Sequence, residues 1–235
     1  MVSLLRHFAR LFKLRRFLHW VKCGHLIGQW KIKRWLASST GASGCCLQIG
    51  GGKSYIDGWM NADIIYGDVY IDATRTLPIP DKSIDFIFAE HFIEHLSYED
   101  GLKLIQECYR VLRPNGVLRI ATPSFEGLLH VYQNSNPEVK SAEVVSRHEK
   151  LYRSGAEAGI TNCHFFNEFF RMWGHNFIYD FETLNDVLQK VGFKNIQSRS
   201  FSQSPHDALS NRECHAEVEW MKSAFMIILE AEKTT

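Results

Sequence analysis

Leu47-Gln48-Ile49-Gly50-Gly51-Gly52 decides how the rest of this 235-residue chain is read. The apolar run Cys45-Cys46-Leu47-Gln48-Ile49 drives straight into the glycines. A second apolar segment ends in an acid, Trp59-Met60-Asn61-Ala62-Asp63, and so does a third, Val69-Tyr70-Ile71-Asp72-Ala73. Short apolar runs bounded by turn residues predict buried strands. Glycines closing such a strand let the backbone approach a ligand, and an acid closing the next one binds ribose hydroxyls. Glycines alone only make turns. Strand, glycines, strand-acid and strand-acid in this order predict the nucleoside-binding half of a parallel sheet.

The pattern continues. Leu77-Pro78-Ile79-Pro80-Asp81-Lys82-Ser83-Ile84-Asp85-Phe86-Ile87-Phe88 is followed by His91-Phe92-Ile93-Glu94-His95-Leu96, then by Glu107-Cys108-Tyr109-Arg110-Val111-Leu112-Arg113-Pro114-Asn115-Gly116-Val117-Leu118. These resemble, in order, the "LPFPDxSFDxI", "HxLEHL" and "LRPGG" motifs of the class I S-adenosylmethionine-dependent methyltransferases. The resemblance covers residues 45–123, with a weaker echo at 181–193 and 223–231. It implies an α/β fold: a Rossmann-like, seven-stranded, mostly parallel sheet with helices on both faces and the last strand antiparallel. Asn195–Phe201 and Ser223–Glu230 would be the final strand pair. It also implies S-adenosyl-L-methionine as cofactor and a small-molecule acceptor.

Gly58-Trp59-Met60-Asn61-Ala62-Asp63 is similar to "GWxNVD" of a short-loop branch of the family. Between Gly52 and Trp59 stand only Lys53-Ser54-Tyr55-Ile56-Asp57-Gly58, too few for the helix a parallel crossover normally carries. One sheet face then lacks its usual cover, and Leu26–Leu36, with Trp30, Ile32 and Trp35, is the expected replacement.

The resemblance assigns roles residue by residue. Asp63 would accept the ribose hydroxyls, and Asp72 and Ala73 would meet the adenine. Gly50 and Gly52 would admit the methionyl segment, and His91 would face the sulfonium. Gln48 stands where the family usually has an acid for the methionyl end, so hydrogen bonding is kept and charge attraction lost. His91-Phe92-Ile93-Glu94-His95 also matches H-x-x-E-H, an inverted zinc-protease motif. That chemistry needs both histidines on one helical face. Here His91 directly follows a predicted strand and the family shows the same letters without metal, so no metal is expected. Glu94 and His95 are expected to pin the strand-to-helix turn.

Residues 124–180 form a long insertion rich in aromatics and histidines, read as a lid over the acceptor. His164 and His175 are its candidate bases, beside His91, should the acceptor be an alcohol. Phe165, Phe166, Phe169 and Phe170 either flank the acceptor or form a small core of their own.

The net charge of +1 hides an asymmetry. Residues 1–56 hold ten bases and no acid, which leaves 17 bases against all 26 acids, a net of −9, in the remainder. So acidic a body argues against a nucleic-acid substrate. Residues 2–21 read as a basic helix that lies on an anionic membrane surface, docks on the acidic body, or serves as an organellar presequence. The expected organisation is a helical extension over 1–37, a linker over 38–44 and a methyltransferase domain over 45–235. No run of about 18 apolar residues predicts a membrane span, and six unpaired-looking cysteines fit a reducing, cytoplasmic setting. Methyl transfer to a small molecule, with a glycan or lipid-linked intermediate preferred, is the leading reading. A non-catalytic nucleoside-binding module is the alternative. A nicotinamide-dependent oxidoreductase is disfavoured, because Gly50-Gly51-Gly52 lacks the later glycine and helix of GxGxxG.

Overall fold

The short apolar runs become strands of one sheet, as a computed structural model of the chain shows. The structure describes residues 13–21, 25–38, 44–134, 162–171, 174–214 and 225–234. The strands are β1 Cys46–Ile49, β2 Met60–Asp63, β3 Val69–Tyr70, β4 Ile84–Glu90, β5 Leu112–Pro123, β6 Lys194–Ser198 and β7 Met226–Glu232. Their order is β3-β2-β1-β4-β5-β7-β6. β1 lies parallel to both β2 and β4, with Leu47 opposite Met60 and opposite Ile87. Only β7 runs against its neighbours, pairing antiparallel with β5 and with β6. The expected final pair is therefore present with shifted bounds. Because the chain order reverses between β1 and β4, a crevice opens at their carboxyl ends, the usual ligand position of an open α/β sheet.

Besides the helical residues 13–21, five helices complete the described fold: α1 His25–Ser38, α2 Tyr98–Val111, α3 Phe125–Asn134, α4 Asn162–Arg171 and α5 Phe181–Val191. Ser97 starts α2 by accepting the Asp100 N–H at 3.1 Å. Leu104, Ile105, Cys108 and Val111, at one-face helical spacing, are buried. Asp180 caps α5 through the Thr183 N–H at 2.8 Å, and Gly192, at φ 116°, ends it in the left-handed conformation that favours glycine. Both helices pack with Leu47, Ile49, Ile87, Leu118 and Leu229 in the main core.

Side chains alternate along a strand, so Cys46, Phe88 and Val117 point to the opposite face. There they meet Trp59 and Leu209, with Ile56 and Ala208 packed alongside. The expectation that Leu26–Leu36 fills this space is corrected. Ile32 is buried in the main core with Trp35 and Leu36 against it, while Trp30 stays 59% exposed, with the Arg34 guanidinium 5.3 Å from its ring centroid. The short crossover closes the face itself, because Asn61 ties it down. The Asn61 Oδ1 accepts from the Ile56 N–H at 2.9 Å, and its Nδ2 donates to the Ile56 and Trp59 carbonyls, both at 3.1 Å.

A strap over residues 199–214 closes the rest of that face. Its anchor is Arg119 on β5, fully buried, whose Nε donates to Glu213 and whose Nη1 donates to Glu230, each at 2.6 Å. Nη1 also reaches the Gln203 carbonyl at 2.9 Å. Arg199 donates to the second Glu230 oxygen at 2.7 Å, and the second Glu213 oxygen accepts the Ser202 N–H at 2.9 Å. Every oxygen of the two buried carboxylates thus has a donor, the condition for burying such charges.

Of the expected extension, residues 1–12 lie outside the described residues, as do 39–43 of the linker. Residues 13–21 are helical. No helix among the described residues is long and apolar enough to cross a membrane.

Candidate active site

At the carboxyl end of β1, Gly50 (φ 71°) leads away from the strand and donates its N–H to the Ala62 carbonyl at 2.8 Å. A Cβ at Gly50 would fall 2.0 Å from the Phe92 ring, so packing against Phe92 requires glycine there. Gly52 (φ 56°) instead faces open space, with nothing within 4 Å of a Cβ. Gln48 is 4% exposed, and its Oε1 has no hydrogen-bond partner among the described residues. A buried acceptor without a donor costs stability, so Gln48 is suited to a donor that the described residues do not supply.

Asp63 ends β2. One carboxylate oxygen accepts the Gly52 N–H at 3.2 Å, and the other accepts Ile65 and Tyr66 N–H at 2.7 and 3.1 Å. The carboxylate is thereby fixed beside Gly52, at the rim of the crevice.

Asp72 and Ala73 each have contacts of their own within the chain. Ala73 is buried at 5% exposure in the main core and serves packing. Asp72 Oδ2 accepts from Arg16 Nη2 at 2.7 Å, and Oδ1 accepts the Thr74 hydroxyl at 2.7 Å. Arg16 Nε also donates to the Tyr70 hydroxyl at 3.1 Å, and Arg15 reaches the Tyr66 hydroxyl at 3.3 Å. The basic segment is therefore docked on the acidic edge of β3. Its Leu14, Phe17, Leu18, Trp20 and Val21 remain exposed.

A second cluster forms beyond β4. His91, at φ 46°, donates its backbone N–H to the Ala121 carbonyl at 2.9 Å, and its Nδ1 lies 3.2 Å from Glu94 Oε1. Glu94 is fully buried on the short 3-10 turn Ile93–His95, and its Oε2 accepts the Thr122 hydroxyl at 3.0 Å. Burial alone would raise the Glu94 pKa, but the hydrogen bond and charge of His91 outweigh it and hold the carboxylate below its usual range.

His175 arrives at this cluster from 80 residues away. Asn176 and Phe177 donate backbone N–H groups to the Glu94 carbonyl at 2.7 and 3.2 Å, and the Asn176 amide reaches the His95 carbonyl at 2.7 Å. The His175 and His95 rings meet edge-on at 5.1 Å. His175 Nδ1 lies 2.7 Å from the Phe169 carbonyl, and burial lowers its pKa, which favours the neutral ring. His91 and His175 are thus brought together, whereas His164 sits on α4 with its side chain outside the described residues. Of the lid phenylalanines, Phe169 is buried with Leu128, Ile178 and Phe225, and Phe166 packs against them, the separate small core that was one reading. The central part of the lid, residues 135–161, lies outside the described residues.

Sequence reasoning gave Glu94 and His95 only a turn-pinning role. The H-x-x-E-H spelling was the available signal, but nothing in it points to His175. Arg16 on Asp72 and Cys214 on Glu90, whose carboxylate accepts the Cys214 N–H at 3.0 Å, were also not anticipated.

Residues 61–120 match the model of a methyltransferase domain. A probable S-adenosylmethionine-dependent methyltransferase of Mycolicibacterium smegmatis is 46% identical over 48 residues, which are 20% of this chain and 18% of that protein. A probable S-adenosylmethionine-dependent methyltransferase of Mycobacterium tuberculosis is 44% identical over 48 residues, 20% and 17% of the respective chains. The match therefore spans less than a fifth of the length of these curated relatives. Among solved structures, a putative methyltransferase of Haloferax volcanii, in complex with a Trm112 methyltransferase activator, superimposes with TM-score 0.50 at 14% identity, covering 95% of this chain and 94% of that one. That likeness shows the fold. In its strand order and in the matched domain over residues 61–120, the chain is similar to the class I S-adenosylmethionine-dependent methyltransferases.

Proposed function

We propose that the chain transfers the methyl group of S-adenosylmethionine to a small-molecule acceptor approaching the carboxyl ends of β4 and β5. The observation that carries this reading is the buried, unpartnered Gln48 Oε1 at the crevice, with the Asp63 carboxylate beside Gly52. The cofactor fits these residues: its ammonium supplies the donor that Gln48 lacks, and its ribose hydroxyls are donors for Asp63. Bound there, it supplies an activated methyl group on a sulfonium.

The chain's own part is alignment and proton removal. With Nδ1–H donated to Glu94, His91 presents Nε2 as its basic nitrogen, and Glu94, locked by Thr122, holds the ring in place. His91 then takes the proton of an acceptor hydroxyl as the methyl is transferred. The Asp72 carboxylate serves the adenine only by sharing with Arg16, so the docked segment belongs to the edge of the nucleoside pocket.

The finer reading is an acceptor presented at an anionic bilayer, a lipid-linked glycan being the preferred class. It is supported by the basic N-terminal segment and the exposed Leu14, Phe17, Leu18, Trp20 and Val21. A reducing, cytoplasmic location is proposed from six cysteines without a CxxC pair.

Calorimetry tests the central claim: S-adenosylhomocysteine should bind and NAD should not. Binding of NAD alone would restore the oxidoreductase reading. Binding of S-adenosylhomocysteine without turnover on any lipid, glycan or small-molecule acceptor would favour the binding module.

A further inference from the structure

We propose that Glu94, His95 and His175 form a binding site for a divalent first-row transition-metal cation, placed to hold an oxygen of the acceptor. One ligand atom from each of these residues lies within 4.8 Å of the other two. Two imidazoles and a carboxylate form a donor set suited to such ions, and three protein ligands leave positions open for an exogenous oxygen. Bonds of about 2.0–2.2 Å would draw the ligand atoms to within roughly 3–3.5 Å of one another, a shift of about an ångström or less each.

The cluster is built rather than incidental. Glu94 is fully buried, and each of its oxygens uses one lone pair on a protein donor, His91 or Thr122, which leaves each oxygen a further lone pair. His175 gives its Nδ1–H to the Phe169 carbonyl, the outer hydrogen bond that fixes the tautomer of a metal-bound histidine and turns Nε2 toward the ion. His95 and His175 are clamped together by the Asn176 hydrogen bonds to the Glu94 and His95 carbonyls. Gly174, at φ 83°, allows the chain to turn into this clamp. The expectation that H-x-x-E-H needs a shared helical face is met differently. His91 stays outside as the partner of Glu94, and His175 supplies the missing imidazole.

The site's role in acceptor recognition rests on the methyl-transfer reading; the cation site itself does not. The acceptor class that follows is one with an oxygen donor, a hydroxyl or carboxylate, rather than a simple amine.

The test uses the full-length, tag-free protein, stripped with chelator and titrated with Co2+. One equivalent should bind at micromolar or lower concentration, with visible d–d absorption. His95→Ala and His175→Ala should each weaken binding at least a hundredfold, while His206→Ala, on the other side of the sheet beside Phe86, should not. Retained S-adenosylhomocysteine binding reports that each variant is folded. Should a variant fail to fold, paramagnetically shifted imidazole N–H resonances from two histidines of the unaltered protein decide the matter. Binding only at millimolar Co2+, fewer than two shifted histidines, or parental affinity in folded His95→Ala or His175→Ala would overturn the proposal. Intact S-adenosylhomocysteine binding without a metal site would sink the cation alone. A metal site without S-adenosylhomocysteine binding would sink the methyl-transfer reading and leave the cation site standing.

Discussion

The two faces of the sheet are closed by different physics. On one, α2 and α5 lay down Leu104, Ile105, Cys108, Val111, Leu184, Val187 and Leu188, a cover assembled by helical periodicity alone. On the other, no helix follows β1, and closure comes from the tied crossover around Asn61 and from the strap 199–214 drawn down by Arg119. The first face is held by burial of apolar area, which is non-directional and tolerant of repacking. The second depends on one buried cation meeting two buried carboxylates in fixed geometry, which is intolerant of losing any member.

The largest expected effect tests that difference directly. Arg119→Met strands Glu213 and Glu230 as buried charges and should cost about 3–5 kcal/mol, read as a lowered urea midpoint. Adding Glu213→Gln and Glu230→Gln should recover part of the loss. If Arg119→Met alone is within 1 kcal/mol of the parent on the order expected of surface changes, the strap is not held as described. On the helical face, Leu188→Ala should cost about 2–4 kcal/mol through lost burial and a residual cavity. A cost equal to that of Arg119→Met with no recovery in the triple variant would erase the contrast.

The same contrast runs through the site. The proposed nucleoside rim draws on residues within one short stretch, Gln48 to Asp63, whereas the proposed acceptor rim joins His91, Glu94 and His95 to His175. His91→Gln should lower turnover about a hundredfold or more while leaving S-adenosylhomocysteine affinity within a few-fold. A parallel fall in affinity would merge the two rims into one pocket. Asp63→Ala should weaken S-adenosylhomocysteine binding at least roughly tenfold, about 1.4 kcal/mol, by calorimetry, with the unfolding midpoint little changed. Unchanged affinity would mean that the carboxylate only braces Gly52, Ile65 and Tyr66.

The smallest effect concerns the docked segment. Arg16→Ala removes a half-exposed ion pair to Asp72, so stability should change by less than about 1 kcal/mol. Cofactor affinity should shift by only a few-fold, upward if Arg16 competes with the adenine amine and downward if it orders the pocket edge.

How much of this was legible beforehand follows from distance along the chain. Glycines after β1, acids closing or following β2 and β3, and the "LRPNG" stretch that opens β5 each border a short apolar run, so spacing alone located them. The capped, one-face helices α2 and α5 were legible for the same reason. The packing of Gly50 against Phe92 was not legible, because Phe92 comes from beyond β4 and no local rule pairs them. The burial of Ala73 in the main core was not legible either, because an alanine carries no chemistry that distinguishes a pocket wall from a core.

By itself, then, the amino-acid order determined the strand succession and the glycines and acids that close the first strands, since these follow from local periodicity and short-range turn chemistry. Only the tertiary structure decided which segment closes the helix-poor face, that Arg119 is buried between Glu213 and Glu230, that Arg16 lies on Asp72, and that His175 stands beside Glu94 and His95. Those contacts join residues 56 to 111 positions apart in three of the pairs and 80 in the last. Charges and imidazoles so far apart in the chain carry no periodic signal, and the packing of the sheet alone selects their partners.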